Sequence, residues 1–330
     1  MLRTAILGLG HYLPERVVTN DDLAKMFTTS DEWIQQRTGI VTRRYVDGDV
    51  GVSDLAVPAA QRAVEAAGLK MSDIEFIIFA TLSPDYQFPG SACLLQDKLG
   101  LPGIGALDVR NQCTGFLYGL SIADAFVKTG MYKRILLVGA EVHSSALEFS
   151  DRGRDVTVLF GDGAAATVFG PTDEDRGILS THLHADGRYA KDLWIEIPAS
   201  CYQPRMTKEH MDEGRHYPRM NGRKVFKMAV ETMPQVVHEA LAANGLTIND
   251  VDLLVPHQAN LRINEFVGRE LGLPPEKVYH NIQRYGNTTA ASIPLALNEA
   301  IQEGRAKKGD IIVLAAFGSG FTWASSVLKL

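Results

Sequence analysis

Three side chains in this sequence have the types that acyl-transfer chemistry needs: Cys113, His257 and Asn287. Cys113 opens the run Cys113-Thr-Gly-Phe116 at an expected helix start. There the positive end of the helix dipole favours the thiolate, the nucleophilic form, and a nearby imidazole adds to the effect. The small residues after it leave room for a substrate carbonyl. The backbone N–H of Cys113 is a candidate donor to the oxyanion formed when a thioester is attacked. The residue reads equally well as a buried structural cysteine. His257 ends the apolar run Leu253-Leu-Val-Pro256, where a lone histidine is more often a structural hydrogen-bonder. Asn287, in Gly286-Asn-Thr-Thr289, is by itself a good helix N-cap. Together, an imidazole N–H and a carboxamide NH₂ are two donors for one carbonyl oxygen that gains charge, which is what an enolate requires.

The elements that must bring these residues together are written twice. Residues 62–80 run from Arg62 through Gly68-Leu69 and Asp73 into the apolar run Ile74-Glu-Phe-Ile-Ile-Phe-Ala80. Residues 239–257 run from Glu239 through Gly245-Leu246 and Asp250 into Val251-Asp-Leu-Leu-Val-Pro-His257. Each reads as helix, glycine after the helix end, short link and buried strand. Gly68 and Gly245, Leu69 and Leu246, and Asp73 and Asp250 share one offset of 177 positions. Leu99-Gly-Leu-Pro102 recurs as Leu271-Gly-Leu-Pro274, and each is followed by a turn, a helix and a last apolar strand, Arg134–Gly139 or Asp310–Ala315. The pattern predicts an α/β protein of two similar halves, residues 1–172 and 173–330, with mainly parallel, doubly covered sheets. If a pseudo-twofold axis relates the halves, both helix starts and the strand end at His257 approach one central junction, where α/β proteins place ligands.

Composition narrows the classes. The chain has 330 residues, 45% hydrophobic and 22% charged, the balance of a folded globular protein. Net charge is −6 without any lysine or arginine block, so nucleic acid is not an expected partner. The apolar start is broken by Gly8, Gly10 and Pro14 and reads as a strand and turn, not a signal peptide. No window reaches the roughly 18 apolar residues of a spanning helix, so no membrane association is expected. Three cysteines, Cys93, Cys113 and Cys201, suit a reducing, cytoplasmic compartment. His182, His184, Cys201, His210 and His216 lack the spacing of a zinc site, so no metal is expected. Phe317-Gly-Ser-Gly-Phe321 is either a loop of backbone donors for an anion or a plain turn. Phe160-Gly-Asp-Gly-Ala164 reads as a turn into a closely packed strand.

Motifs along nearly the whole chain resemble the β-ketoacyl-acyl-carrier-protein synthase III family. They are Thr29-Ser-Asp-Glu-Trp33-Ile-Gln-Gln-Arg37, Cys113-Thr-Gly-Phe116, Asp151-Arg152-Gly153, Phe160-Gly-Asp-Gly-Ala164, His182-Leu-His-Ala-Asp-Gly187, Pro256-His-Gln-Ala-Asn-Leu-Arg262, Gly286-Asn-Thr-Thr289 and Phe317-Gly-Ser-Gly-Phe-Thr-Trp-Ala324. The resemblance implies a thiolase fold of layered αβαβα type, a homodimer and a two-step reaction. Cys113 takes an acyl group from acyl-CoA, and malonyl-acyl-carrier-protein then loses CO₂ and attacks the acyl-enzyme, starting fatty-acid synthesis. It implies His257 and Asn287 as enolate donors and the N–H groups of Cys113 and Ser319 as the oxyanion hole. Trp33 and Arg152 would flank the CoA adenine with Arg37 nearby, and Gly222, Phe226 and Asn260 would line the pantetheine tunnel. Arg262 would anchor the carrier protein, and Phe88 would close the acyl pocket across the dimer. No metal or bound organic cofactor is implied. Departures from the family pattern are Asn111-Gln112 before the nucleophile, Ser319 in a run that is commonly glycine, Arg223 and Lys224 near the tunnel, Glu270 in the docking patch, and a long segment from Tyr189 to Arg219. The last motivates an alternative: a specialised paralogue that condenses or transfers a different acyl-CoA.

Overall fold

The computed structural model describes residues 3–330. Nine strands form two sheets. They are β1 (Arg3–Tyr12), β2 (Phe76–Ala80), β3 (Gly105–Val109), β4 (Ile135–Glu141), β5 (Gly163–Thr172), β6 (Gly177–Ala185), β7 (Leu253–Pro256), β8 (Ile311–Gly318) and β9 (Thr322–Lys329). The first sheet has the order β1-β5-β4-β2-β3 and the second β7-β8-β9-β6. Six helices cover them: α1 (Val52–Ala66), α2 (Ser91–Lys98), α3 (Gly115–Lys128), α4 (Gly222–Ala242), α5 (Leu261–Glu270) and α6 (Ser292–Gln302).

The layering comes from side-chain alternation in strands buried on both faces. In β2, Ile78 points into a core shared with α3 and α6, while Ile77 and Phe79 point to the opposite face, under α1 and α2. In the second sheet, Ile312 and Leu314 join the same central core, while Val313 and Ala315 face α4 and α5. Helices α3 and α6 therefore lie between the two sheets, and the sequence of layers is αβαβα. Burying apolar strands on both faces removes most of their surface from water, at about 25 cal/mol per Å².

The repeated segments fold alike. Gly68 and Gly245, just beyond the ends of α1 and α4, have φ of +67° and +66°, the left-handed region open to glycine. Both segments then make a short 3₁₀ turn in which an aspartate accepts from the backbone that opens it: Lys70 N–H to Asp73 Oδ2 at 2.8 Å, and Thr247 N–H to Asp250 Oδ2 at 2.7 Å. The halves diverge after the LGLP segments. The first half adds β3, whereas the second makes only one bridge, Leu254 to Val278.

The sheets are mixed rather than mainly parallel. β4–β2, β2–β3 and β7–β8 are parallel, but β1–β5, β4–β5, β8–β9 and β9–β6 are antiparallel. For β8 and β9 the reason is connection length. A parallel neighbour needs a helical crossover, whereas β8 turns straight into β9 through residues 319–321, which forces antiparallel pairing. Both faces of these strands are nevertheless covered, so their apolar runs look the same in sequence.

Candidate active site

The two central helices bring the halves into contact at their N-terminal ends. Gly139 in β4 allows this: a Cβ there would stand 2.3 Å from the carbonyl oxygen of Ala290, just ahead of α6. Cys113 lies in a 3₁₀ turn (Gln112–Thr114) that leads into α3. Its partner turn, Thr289–Ala291, leads into α6. Gly318, at the end of β8, sits so close to Cys113 that a Cβ would stand 2.8 Å from that of the cysteine.

A cavity of about 590 Å³ opens here, and Cys113, His257 and Asn287 all line it. His257 is buried, with Nδ1 2.6 Å from Ser292 Oγ and Nε2 without a partner. The N–H of Gln258 also approaches Ser292 Oγ, at 3.4 Å, which favours a serine hydroxyl that donates toward His257. Nδ1 then accepts, and Nε2 carries the proton as a free donor. Burial lowers the His257 pKa to about 3, so the ring is neutral. Asn287 is clamped by its own backbone, its N–H donating to Leu159 O at 2.8 Å and its carbonyl accepting from Gly161 N–H at 3.0 Å. Its Oδ1 accepts from Thr289 N–H at 2.8 Å, which leaves the NH₂ as the group with donors to spare. Asn287 is thus not the N-cap of α6. It makes a side-chain turn two residues long, held by the opposite half of the molecule.

Cys113 departs from the expected thiolate. Burial, and then the carboxylate of Glu141, push its thiol up to about 12, while the N–H groups of Cys113 and Ser319 pull the other way. Desolvation outweighs the helix end because the sulfur is enclosed. The resting pair is a neutral thiol and a neutral imidazole.

The remaining candidates divide. Trp33, Arg37, Gly222, Phe226, Asn260 and Arg262 line the same cavity as Cys113. Asn260 caps α5 by accepting from Arg262 N–H at 2.9 Å, and its Nδ2 donates to Arg37 O at 2.9 Å. Arg152 stands apart: its Nε meets Glu148 at 2.6 Å and it donates to Glu213 O, tying down the 189–219 segment. The guanidiniums close to the Trp33 ring are those of Arg37 and Arg154, 4.6 and 4.4 Å from its centroid. Arg154 was not singled out from sequence, where Arg152 carried the matching motif. Phe88 is 84% exposed and lines neither of the two cavities that reach Cys113. Ser319 belongs to the second of these, about 300 Å³, which is also lined by His143, Gln112, Thr289 and Trp194. Sequence reasoning missed His143, although like His257 it lies just beyond the end of an apolar strand. It missed Ser292 and Glu141 as well. Glu141 is fully buried and accepts from Thr81, Leu82 and Ser83.

The Phe160-Gly-Asp-Gly segment is structural. Asp162 accepts from the N–H groups of Val46, His143 and Ser144, and a Cβ on Gly161 would meet Tyr285 O at 2.2 Å. Among the described residues there is no group of three His, Cys, Asp or Glu side chains placed to hold a metal ion, and no helix is long and apolar enough to cross a membrane.

An enclosed cysteine and two oriented neutral donors at one junction define the site of a thiolase-fold acyltransferase. Family models for the C-terminal and the preceding part of 3-oxoacyl-[acyl-carrier-protein] synthase III match residues 241–330 and 107–187. The β-ketoacyl-[acyl-carrier-protein] synthase III of Alkalilimnicola ehrlichii is 49% identical over 325 residues, 98% of each chain. That of Caldanaerobacter subterraneus is 48% identical over 328 residues, 99% of this chain and 98% of its own. The crystal structure of 3-oxoacyl-[acyl-carrier-protein] synthase III from Aquifex aeolicus superposes with a TM-score of 0.91 at 43% identity, covering 99% of this chain and 100% of that one. The chain belongs to the β-ketoacyl-acyl-carrier-protein synthase III family. Relatives bearing that description have nearly this length.

Proposed function

We propose that the protein joins an acyl-CoA primer to malonyl-acyl-carrier-protein by decarboxylative Claisen condensation, the initiating step of fatty-acid synthesis. The observation that carries this is the shared cavity in which Cys113 meets a free imidazole Nε2 and a free carboxamide NH₂. In the first half-reaction the Cys113 sulfur attacks the primer thioester. The tetrahedral oxyanion takes the N–H groups of Cys113 and Ser319, and CoA leaves as the thiol with the proton that Cys113 gives up. Because the thiol rests protonated, it loses its proton as the C–S bond forms, and the departing CoA sulfur takes that proton up. In the second half-reaction the malonyl thioester loses CO₂. The electron pair released passes to its carbonyl oxygen, which His257 Nε2–H and Asn287 NH₂ hold as an enolate. The enolate carbon attacks the acyl-enzyme, and the Cys113 sulfur departs and regains a proton from solvent water.

The remaining roles belong to the same reading. Trp33 and Arg37 at the cavity mouth bind the adenine end of CoA. Arg154 is better placed than Arg152 to close on it, and Arg152 reaches that end only if it leaves Glu148. Gly222, Phe226 and Asn260 line the pantetheine path, and Arg262 meets the acidic carrier protein. Exposed Phe88 closes the partner's acyl pocket in a homodimer. The chain divides into halves at residues 1–172 and 173–330, works in the cytoplasm, and uses neither metal nor organic cofactor. A second reading, condensation of a different acyl-CoA, is favoured by the polar His143 and Gln112 beside Cys113 in the smaller cavity.

The test is intact mass of the purified chain after incubation with a panel of acyl-CoAs, then addition of malonyl-acyl-carrier-protein. Adducts on Cys113 that discharge with CO₂ release and β-ketoacyl product support the reading. A Cys113→Ala protein that still makes the product would end it.

A further inference from the structure

We propose that His143, acting through Thr289, positions the carboxamide of Asn287, so that His143 is a positioning residue for the decarboxylation half of the reaction. The inference rests on the function proposed above.

Thr289 is held in an unusual backbone conformation. Its φ is +47°, the left-handed region, which a β-branched residue rarely adopts and which persists only where neighbours impose it. In that conformation its N–H points at Asn287 Oδ1, 2.8 Å away. This contact orients the amide: a flipped carboxamide would set its NH₂ against the N–H of Thr289, donor against donor. The direction in which Asn287 presents its donors therefore depends on the backbone of Thr289.

His143 is the group that can hold Thr289 there. Its Nε2 lies 2.8 Å from Thr289 Oγ1, in a buried contact between the two halves of the chain. The histidine is itself fixed from two sides. Its backbone N–H donates to Asp162 Oδ1 at 2.7 Å, and its ring packs on Phe160 with centroids 4.5 Å apart. Phe160 in turn bridges to Asn287 through the backbone. The path from His143 to Asn287 runs through the Thr289 hydroxyl and N–H, and Thr289 Oγ1 itself also approaches Asn287 Oδ1, at 3.5 Å. The competing description is that His143 merely fills space beneath Phe160. The two roles give different losses once Thr289 no longer needs holding.

His143→Leu keeps the bulk and removes Nε2. Preacylated enzyme should then release CO₂ from malonyl-acyl-carrier-protein about tenfold more slowly, with KM little changed, a larger loss than that in acylation of Cys113, monitored by intact mass. In a Thr289→Gly background the same substitution should cost less than twofold, because glycine adopts a positive φ unaided. If His143→Leu does not fold, Thr289→Val, which keeps volume but removes Oγ1, takes its place with the same tenfold expectation. A loss of equal size in both backgrounds, or in both half-reactions, would show a space-filling role and overturn the proposal. Crystal structures give a readout that does not depend on activity. In His143→Leu, Thr289 should leave the left-handed region and the Asn287 amide should turn, whereas the double variant should keep both in place. An unchanged Thr289 and Asn287 in His143→Leu would also overturn it. If the unmodified enzyme acylates Cys113 yet releases no CO₂ from malonyl thioesters, the functional reading fails, and the crystal structures decide the role of His143 by themselves.

Discussion

The two halves fold the same helix–turn–strand series but arm it differently. In the first, the turn before α3 carries Cys113 and the strand β2 ends at Ala80-Thr81, whose threonine is used to hold Glu141. In the second, the turn before α6 carries only Thr289-Ala-Ala291, while Asn287 precedes it and β7 is followed directly by His257. In the proposed reaction one half supplies the nucleophile and the other the donors. The duplicated scaffold offers two helix starts facing one another across Gly139 and Ala290, and the proposed chemistry, which needs both a sulfur and an enolate clamp, divides between them. The difference also shows in protonation. The first half buries a carboxyl, Glu141, raised to about 7 by desolvation, beside its cysteine, while each half also buries a neutral imidazole, His143 in the first and His257 in the second.

The largest effect should come from the first half. Cys113→Ala is expected to abolish the acyl-enzyme adduct and lower product formation at least about a thousandfold, in the range seen when a nucleophile is lost. Any adduct elsewhere on the chain would contradict the division. Next come the donors of the second half. His257→Ala or Asn287→Ala should each slow CO₂ release about 10²- to 10³-fold, the scale for loss of one oxyanion donor. If either slowed only Cys113 acylation, the halves would not divide the work as described. Ser292→Ala should be milder, roughly tenfold in CO₂ release. It leaves the His257 tautomer unfixed without removing the ring, and rapid-quench measurement of the two half-reactions separates the effects.

Acid stability probes the buried titratable groups of both halves. Burial lowers His143 and His257 to about 3 and His280 to about 4, with smaller contributions from His257 on His143 and Arg305 on His280. Below pH 6.5 the unfolded chain takes up protons that these folded rings refuse, so their contribution is present above 6.5 and is lost as pH falls. Glu141 acts oppositely. Its folded carboxyl keeps a proton that the unfolded chain has released between pH 4.5 and 7, so its contribution fades as pH rises through that window. Each group tilts stability by up to about 1.4 kcal/mol per pH unit. The imidazoles, with His11 lowered by burial as well, outweigh the Glu141 carboxyl, so the urea midpoint should drop between pH 7 and pH 5. A flat or rising midpoint would mean that the imidazoles are not enclosed.

The smallest difference lies in the duplicated turns. Asp250→Ala removes an acceptor for both the N–H and the hydroxyl of Thr247, whereas Asp73→Ala removes an acceptor for the Lys70 N–H. Both should cost about 0.5–1 kcal/mol, Asp250 slightly more, by urea denaturation. A larger cost for Asp73 would mean that the first turn leans on contacts beyond its own cap.

Much of this molecule is legible in its sequence because its rules are local. The paired glycines, the aspartate turns and the apolar strands each arise from conformational freedom, capping or burial within a few residues. Their repetition makes two halves evident and brings Cys113, His257 and Asn287 under one hypothesis. Strand direction was not legible: a strand covered on both faces has the same apolar run whichever way its neighbour points, so β5 and β9 pass for parallel strands until their connections are seen. Nor was the protonation of Cys113, because a helix end is a local feature while desolvation depends on everything packed around the sulfur. The approach of Arg154 to the Trp33 ring, 4.4 Å from its centroid, was not legible either, because reach and competing partners are set by the surroundings.

What the order of residues determined, then, was the type and succession of the elements and which side chains have reactive chemistry. Only the folded arrangement decided how those side chains are aimed. Ser292 fixes the His257 tautomer, Thr289 turns the Asn287 amide, and His143, from the other half of the chain, contacts Thr289. The last of these contacts, like the meeting of Gly139 with Ala290, depends on how the halves pack, and no window of sequence contains that information.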